Sequence, residues 1–385
     1  MNRKHFIINI FSGILFLAII SCSNRQSQVL VQLPIYYNQP SLDSIQSDAV
    51  YKYMQHFPNR SEIAIGLIKG KSEQFFGIRR QNDSLVYVEN RKMAFEIGSI
   101  TKTFTATMLA KLVYEGLIDL NEPVSNILPC KLKQDEVNGQ RVTILQLANH
   151  TSGFPKEPDI NLNMHIPASP YKNYDKSKLY DFLSNRLILQ HIPGEKREYS
   201  NLGGGLLGHL IELITGKSYE LYLQESICEP LKMNRTFVTI DSQRKEYIVP
   251  GRSPYGKIVP NWELGILVGG GGIKSTAEDM VKYLHAQMTD TTFFLLTQMP
   301  TMQYSEHNTA GLGWAWYNHE KYKFVDATGG TGGYSCIVIF ERSTQTAIVL
   351  LTNVSAFLAS KGDYISKLGI ELHNSIFYGK ENGLN

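Results

Sequence analysis

Apolar and polar positions along the chain predict strands near both ends and helices between them. The segments EIAIGLIKG and KSEQFFGIRR are typical of strands, and the first is almost entirely apolar in its middle. Near the other end, YSCIVIF and TAIVLLTN flank the polar sequence ERSTQ, which indicates a hairpin of two buried strands. This order favours one sheet built from both chain ends, with a mainly helical lobe inserted between them.

Helical spacing marks the other elements. DAVYKYMQHF predicts a first helix and ISKLGIELHNSIF a closing one, while VTILQLANH and LGGGLLGHLIELITG predict helices in the middle. The apolar residues after Ser99 also recur with a helical period, which predicts an amphipathic helix there. In STAEDMVKYLHAQM, Ser275 and Glu278 form a capping-box pattern that predicts a helix start at Ser275.

The N-terminal residues are set apart from the folded domain. Arg3 and Lys4 precede the mostly apolar segment 6–20, as in a signal peptide. Residues 19–22 (IISC) resemble a bacterial lipobox, which implies lipidation of Cys22 and anchoring in the cell envelope; an ordinary signal peptide or an uncleaved anchor is the alternative. We assign residues 1–21 to a lipoprotein signal peptide, 22–44 to a tether, 45–375 to the folded domain, roughly 103–265 to its helical lobe and 376–385 to a tail.

Amino-acid composition excludes only a few classes of function. A net charge of +3 on 385 residues, with no long run of Lys and Arg, gives no reason to expect a nucleic-acid partner. The cysteines other than Cys22 are Cys130, Cys228 and Cys336, whose wide spacing fits neither a metal nor a redox motif. We expect these three to be small buried apolar residues.

The pattern Ser-x-x-Lys occurs three times, and its context singles out one copy. Ser99 and Lys102 open the predicted helix, whereas the copies at Ser169 and Ser242 lie in loop-like or polar sequence. A serine hydroxyl becomes a good nucleophile when a neighbouring base takes its proton, and a neutral lysine amine can do so. A capping serine beside a surface lysine is the alternative.

Two further segments carry candidate chemistry. In EYSN, Tyr199 and Asn201 lie two residues apart between a turn and a glycine-rich helix start, so both side chains could enter one cleft. The segment ATGGTGG at 327–333 precedes a strand, and a glycine-rich edge lets a substrate backbone approach closely. A packed tyrosine, a turn asparagine and a plain loop are the alternatives. His150 is a further candidate base, and Trp262, Trp314 and Trp316 are candidates for a pocket wall or for the core.

The ordered set of these motifs resembles the serine β-lactamase and penicillin-binding-protein superfamily. It is most similar to class C β-lactamases and their esterase and D-amino-acid peptidase relatives, with matching text in FEIGSITKTFTA, LANHTSGFP and GGGGIKSTAEDM. The resemblance covers about residues 45–375. It implies an α/β (α+β) fold in which an antiparallel sheet is flanked by helices and carries an inserted helical lobe.

The resemblance also implies a role for each motif. Ser99 would be the acylated nucleophile, Lys102 its base or proton relay, and Tyr199 the second general base. Asn201 would hold the acyl side chain, Thr328 a polar group of the substrate, and the backbone N–H groups of Ser99 and Gly330 an oxyanion. No cofactor, metal or nucleic acid is implied.

One position departs from the family pattern. Ala327 stands where relatives usually carry Lys or His directly before the T-G or S-G pair. Because alanine carries no positive charge at this position, we expect weaker recognition of a substrate carboxylate and less efficient β-lactam hydrolysis. The sequence thus favours a serine hydrolase acting on a β-lactam, a D-amino-acid peptide or a small ester. A non-catalytic lipoprotein that binds the cell wall or acts as a sensor is the alternative.

Overall fold

The computed structural model describes residues 42–160, 169–319, 322–355 and 364–378. The predicted signal peptide, Cys22 and most of the predicted tether lie outside these residues, as does most of the predicted tail. Helix α1 already begins at Ser44, and the last helix continues to Phe377. No described helix is both long and apolar enough to cross a bilayer.

The described residues form the following α-helices and strands. The helices are α1 (Ser44–Met54), α2 (Thr101–Tyr114), α3 (Ile144–Ala148), α4 (Lys176–Asn185), α5 (Asn201–Thr215), α6 (Tyr219–Leu223), α7 (Ala277–Thr289), α8 (Phe293–Gln298) and α9 (Tyr364–Phe377). The strands are β1 (Glu62–Lys69), β2 (Ser72–Gln81), β3 (Ser84–Tyr87), β4 (Phe95–Glu96), β5 (Glu136–Val137), β6 (Gln140–Arg141), β7 (Lys274–Ser275), β8 (Met302–Gln303), β9 (Asn308–Ala310), β10 (Ala315–Asn318), β11 (Lys323–Gly330), β12 (Ser335–Glu341) and β13 (Thr346–Thr352).

The main sheet joins both ends of the chain. Its nine described strands follow the order β3-β2-β1-β13-β12-β11-β10-β9-β8, and every neighbouring pair is antiparallel. Strand β1 pairs with β13 from Ile63 opposite Thr352 to Lys69 opposite Thr346. The predicted fold class, with its single antiparallel sheet and flanking helices, is confirmed.

Alternate residues of the central strands enter two different apolar cores. On β12, Val338 packs in a core shared with α2, α5 and α7, whereas Ile339 packs in a second core with α1 and α9. This alternation is the period of two that strands impose on their side chains. Because both faces are covered by helices, the central strands are almost wholly apolar, as the sequence predicts.

Two local predictions need correction. Helix α2 is not amphipathic, because nearly all of its residues from Thr101 to Leu112 are buried. Its threonines tolerate burial since their hydroxyls donate to carbonyls of the preceding turn, as Thr107 does to Thr103 at 2.9 Å. Helix α7 is capped by Thr276, whose side chain accepts from the Asp279 N–H. Ser275 instead pairs with Phe95 in a separate two-stranded sheet.

Candidate active site

Ser99 lies in a short 3-10 turn, Gly98–Ile100, directly before α2. The residue that caps α2 is Ile100, and it makes no side-chain capping bond, so Ser99 does not serve as a helix cap. Its side chain is partly accessible at the floor of a cleft. The hydroxyl is therefore available both to neighbouring side chains and to a molecule entering the cleft.

Lys102 extends from the first turn of α2 toward Ser99 and is only 5% exposed. Its Nζ donates to Ser99 Oγ at 3.0 Å, to Asn201 Oδ1 at 2.9 Å and to the Gly270 carbonyl at 2.6 Å. These three acceptors match the three hydrogens that a protonated amine can donate. Burial and these contacts hold the amine at one fixed distance from the Ser99 hydroxyl.

Tyr199 approaches the same hydroxyl from the other side. Its Oη donates to Ser99 Oγ at 2.6 Å, so the serine oxygen lies between a phenol and an amine. Behind Tyr199, the His150 ring packs with its centroid 4.5 Å from that of the tyrosine. Burial, together with the charges of Lys102 and Arg197, lowers the pKa of His150 well below its usual value. The neutral ring accepts the Ser200 N–H at 3.3 Å, so His150 supports Tyr199 from behind.

The turn that carries Ser99 touches the end of strand β11. Gly98 has a φ of +50°, and a Cβ at this position would lie 2.4 Å from the Gly330 nitrogen. A Cβ on Gly329 would lie 1.9 Å from the Ile97 carbonyl oxygen, closer than any real contact. Glycine at both positions is what lets the strand end reach the turn. This approach brings the Gly330 N–H beside Ser99, where the sequence predicts the oxyanion donors.

Asn201 is the first residue of α5, which Ser200 caps by accepting the Gly203 N–H at 2.9 Å. Its side-chain amide bridges two charged groups, since Oδ1 accepts from Lys102 and Nδ2 donates to Glu157 Oε1 at 2.6 Å. One turn further along α5, a Cβ on Gly204 would lie 2.7 Å from Lys102 Cε. The glycines of this helix thus make room for the lysine side chain.

The cleft above Ser99 has a cavity volume of about 230 Å³ and opens to solvent. Its lining combines the predicted residues with apolar and backbone groups. The described residues that line it are Gly98, Ser99, Lys156, Glu157, Tyr171, Tyr199, Asn201, Trp262, Leu264, Leu267, Gly270, Gly271, Gly330 and Thr331.

Only some of the predicted threonine and tryptophan residues line this cleft. Thr328 is exposed and is not among the described residues that line the cleft; Thr331 lines it instead. Of the three tryptophans, Trp262 lines the cleft, Trp314 is buried against Tyr283, and Trp316 donates to the Gln298 carbonyl at 2.6 Å.

Glu157 and Tyr171 were not predicted from the sequence, although both line the cleft. Glu157 accepts from Asn201 through one oxygen and from Tyr171 Oη through the other, at 2.7 Å. Burial, reinforced by the charge of Glu157, raises the pKa of Tyr171, so its hydroxyl remains a donor. Both residues lie in polar, proline-containing loop sequence without periodicity; only the proximity of Glu157 to HTSGFP hinted at a site.

Strand β11 offers an open edge beside these residues. Strand β10 pairs with β11 only as far as Asp326, opposite Ala315, whereas β12 continues to pair up to Gly330. Among the described strands, Ala327–Gly330 therefore have a partner on one side only. Such an edge can add an extended peptide backbone as a further strand.

The sequence of this chain is similar to those of known proteins. A family model described as "Beta-lactamase" matches residues 87–365. The chain is 27% identical to the D-alanyl-D-alanine-carboxypeptidase/endopeptidase AmpH of Escherichia coli, over 81% of this chain and 83% of that protein. It is 25% identical to a β-lactamase of Pseudomonas fluorescens, over 76% of this chain and 88% of that protein.

Solved structures share the fold. A β-lactamase/D-alanine carboxypeptidase from Yersinia pestis superposes with a TM-score of 0.71 at 20% identity, covering 87% of this chain and 100% of that chain. A class C β-lactamase from Rhodobacter sphaeroides gives 0.70 at 20% identity, covering 87% and 99%. The family match begins at the end of β3 and reaches the start of α9. This chain belongs to the β-lactamase family.

Proposed function

We propose that this protein is a serine hydrolase that cleaves an amide or ester through an acyl-enzyme on Ser99. The observation that supports it most is the position of Ser99 Oγ, 3.0 Å from Lys102 Nζ and 2.6 Å from Tyr199 Oη. A general base must lie within hydrogen-bond reach of the proton it removes, and both groups do. Family membership and the named relatives support hydrolase chemistry of this superfamily.

The reaction follows from these positions. Ser99 Oγ attacks the carbonyl carbon while its proton passes to Lys102 or Tyr199 in the unprotonated form. The backbone N–H groups of Ser99 and Gly330 stabilise the negative charge that develops on the carbonyl oxygen. Tyr199 protonates the leaving amine or alcohol as its bond to the carbonyl carbon breaks. Water, deprotonated by Tyr199, then attacks the ester carbonyl. The bond to Ser99 Oγ breaks, Oγ regains a proton from Tyr199 or Lys102, and the acid is released.

A peptide or a β-lactam is the substrate class that we favour. Two relatives are named as a D-alanyl-D-alanine carboxypeptidase and a β-lactamase, and the open edge at Ala327–Gly330 suits an extended backbone. Ala327 supplies no cation at that edge, so we expect slow turnover of substrates that depend on a carboxylate beside the scissile bond.

Covalent labelling tests the proposed function. We expect the full chain, purified in detergent, to gain one adduct from a fluorophosphonate and one from a penicillin, both mapping to Ser99 by peptide mass spectrometry. Turnover of a chromogenic cephalosporin and of a p-nitrophenyl ester would then rank the substrate classes. No adduct on Ser99 with either reagent would contradict the proposal and favour a non-catalytic binding protein.

We also propose that Cys22 carries a lipid that anchors the domain in a bacterial envelope. The signal-peptide pattern before Cys22 supports it, and dual or triple acyl chains hold a protein stably at a membrane. A Cys22→Ser variant should move from the membrane fraction to the soluble fraction, or persist as an uncleaved precursor. A Cys130→Ser variant is the matched control. Unchanged membrane recovery and unchanged mass of the Cys22→Ser variant would exclude lipidation there.

A further inference from the structure

Glu157 is a carboxylate that lines the cleft and has no cationic partner among the described residues. Glu157 accepts two hydrogen bonds, from Asn201 Nδ2 at 2.6 Å and from Tyr171 Oη at 2.7 Å, and both donors are neutral. Among the described residues, no Lys, Arg or His forms an ion pair with it. A carboxylate held in place by neutral donors retains its full charge toward the space that it lines.

The cations nearby are otherwise engaged or free to move. Lys102 reaches the same Asn201 amide from the other side, but its ammonium is taken up by Ser99, Asn201 and the Gly270 carbonyl. Lys156 precedes Glu157 and also lines the cleft, yet its side chain is exposed. An exposed lysine is strongly hydrated and contributes little to a fixed pair. The carboxylate is therefore open to a cation from outside the protein.

The position of Glu157 relative to Ser99 indicates which part of a substrate it would meet. One side-chain amide, that of Asn201, separates Glu157 from Lys102, and Lys102 touches the nucleophile. At the end of strand β11, Gly330 lies against Gly98, the neighbour of Ser99, and also lines the cleft. A substrate whose carbonyl lies at Ser99 thus extends its acyl part toward Asn201 and Glu157.

We propose that Glu157 makes this site selective for substrates that carry an ammonium group on the acyl side of the scissile bond. The inference rests on the proposed function and specifies its substrate class. Peptides with a free N-terminal amine next to the scissile carbonyl, and acyl groups with an amine on the side chain, share this chemistry. On strand β11, Ala327 provides no side-chain cation that could bind a carboxylate on the leaving-group side of the scissile bond.

Two matched pairs of probes test the charge preference. Ampicillin differs from benzylpenicillin by one amino group on the acyl side chain, and D-alanine p-nitroanilide differs from its N-acetyl form by a free α-amine. The rate of Ser99 acylation or turnover is measured for each, and a probe that is not turned over is scored by its protection of Ser99 from a fluorophosphonate. We expect the cationic member of at least one pair to be favoured by about tenfold to hundredfold, the usual gain from a charge-assisted hydrogen bond.

The variant Glu157→Gln keeps the size of the side chain, removes its charge and retains one acceptor oxygen for Asn201, while its amide nitrogen can donate to the Tyr171 hydroxyl. It should lower the rate with the cationic probe more than the rate with the neutral probe, so that their ratio falls toward one. Glu263→Gln is the matched control, because Glu263 is an exposed carboxylate paired with Lys172 just outside the cleft. Loss confined to the ampicillin pair would assign a side-chain amine, and loss confined to the alanine pair would assign an amino terminus.

Other outcomes distinguish a failure of this inference from a failure of the proposed function. Equal rates for both members of each pair in the unaltered protein would overturn the charge preference while leaving the hydrolase intact. An equal loss for cationic and neutral probes in Glu157→Gln would show that Glu157 only positions Asn201, which also overturns it. Failure of the fluorophosphonate to label Ser99 would instead remove the proposed function, and the inference with it.

Discussion

Replacing Ser99 with alanine is expected to lower kcat/KM by at least about 10³-fold on any substrate that the protein turns over, because the attacking oxygen is lost. The fold should be retained, since Ser99 caps no helix and its hydroxyl contacts only Lys102 and Tyr199 among the described side chains. Removing the oxygen leaves two polar groups that can still reach each other or water. The measurement is steady-state turnover beside a thermal melt.

Ser242→Ala is the matched control for this variant. Ser242 begins another Ser-x-x-Lys sequence but is exposed and is not among the described residues that line the cleft. Its replacement should leave kcat/KM unchanged. Turnover by Ser99→Ala at more than a tenth of the original rate would show that another residue, or water alone, attacks the substrate.

Replacing Lys102 with methionine is expected to lower kcat/KM by about 10²- to 10⁴-fold, the usual contribution of general acid–base catalysis. Methionine preserves most of the volume beside Gly204 but offers no hydrogen to Ser99. It also leaves the Asn201 Oδ1 and the Gly270 carbonyl without their donor. The rate of fluorophosphonate labelling of Ser99 isolates the acylation step in which the lysine would act.

The same substitution also lowers the stability of the fold. Leaving each of the two acceptors, Asn201 Oδ1 and the Gly270 carbonyl, without its donor costs about 1–3 kcal/mol of unfolding free energy, which a domain of about 5–15 kcal/mol can survive. Urea unfolding measures this change, and Lys245→Met, in the exposed Ser-x-x-Lys sequence, is the control. Labelling of Lys102→Met at the original rate, in a protein shown to be folded, would exclude Lys102 as the base and leave Tyr199 alone in that role.

Local sequence patterns predicted much of this architecture. The apolar runs of β1, β12 and β13 are recognisable because a strand covered on both faces has no polar positions to spare. Helix α5 is recognisable because its apolar residues keep a helical period and its cap, Ser200, precedes it directly. The start of α7 was misplaced by one residue, since Ser275 and Thr276 are equally good caps locally. Only the pairing of β7 with β4 decides between them.

Helix α2 shows where such patterns stop being informative. Its threonines suggest a polar face, but the helix is buried among α5, α6, α7 and α8, and their hydroxyls bond to carbonyls and to Tyr219 and Tyr283. Whether a threonine faces water or a buried partner depends on residues more than a hundred positions away. The helical period of 3.6 residues gives no information about which distant residues the threonine hydroxyls contact.

The sequence by itself determined the strands at both chain ends, several helices between them, and the choice of Ser99 and Lys102 among three similar motifs, because these depend on residue types at short, regular spacing. The association of Tyr199 and Asn201 with Ser99 was implied instead by the resemblance of the ordered motifs to a known superfamily. The tertiary structure alone decided that Glu157, Tyr171 and Trp262 line the cleft and that Thr331 lines it where Thr328 does not. These side chains come from irregular loops and from one face of a strand end. Their placement is fixed by distant contacts, such as Asn201 with Glu157 and Gly98 with Gly330, which no local pattern encodes.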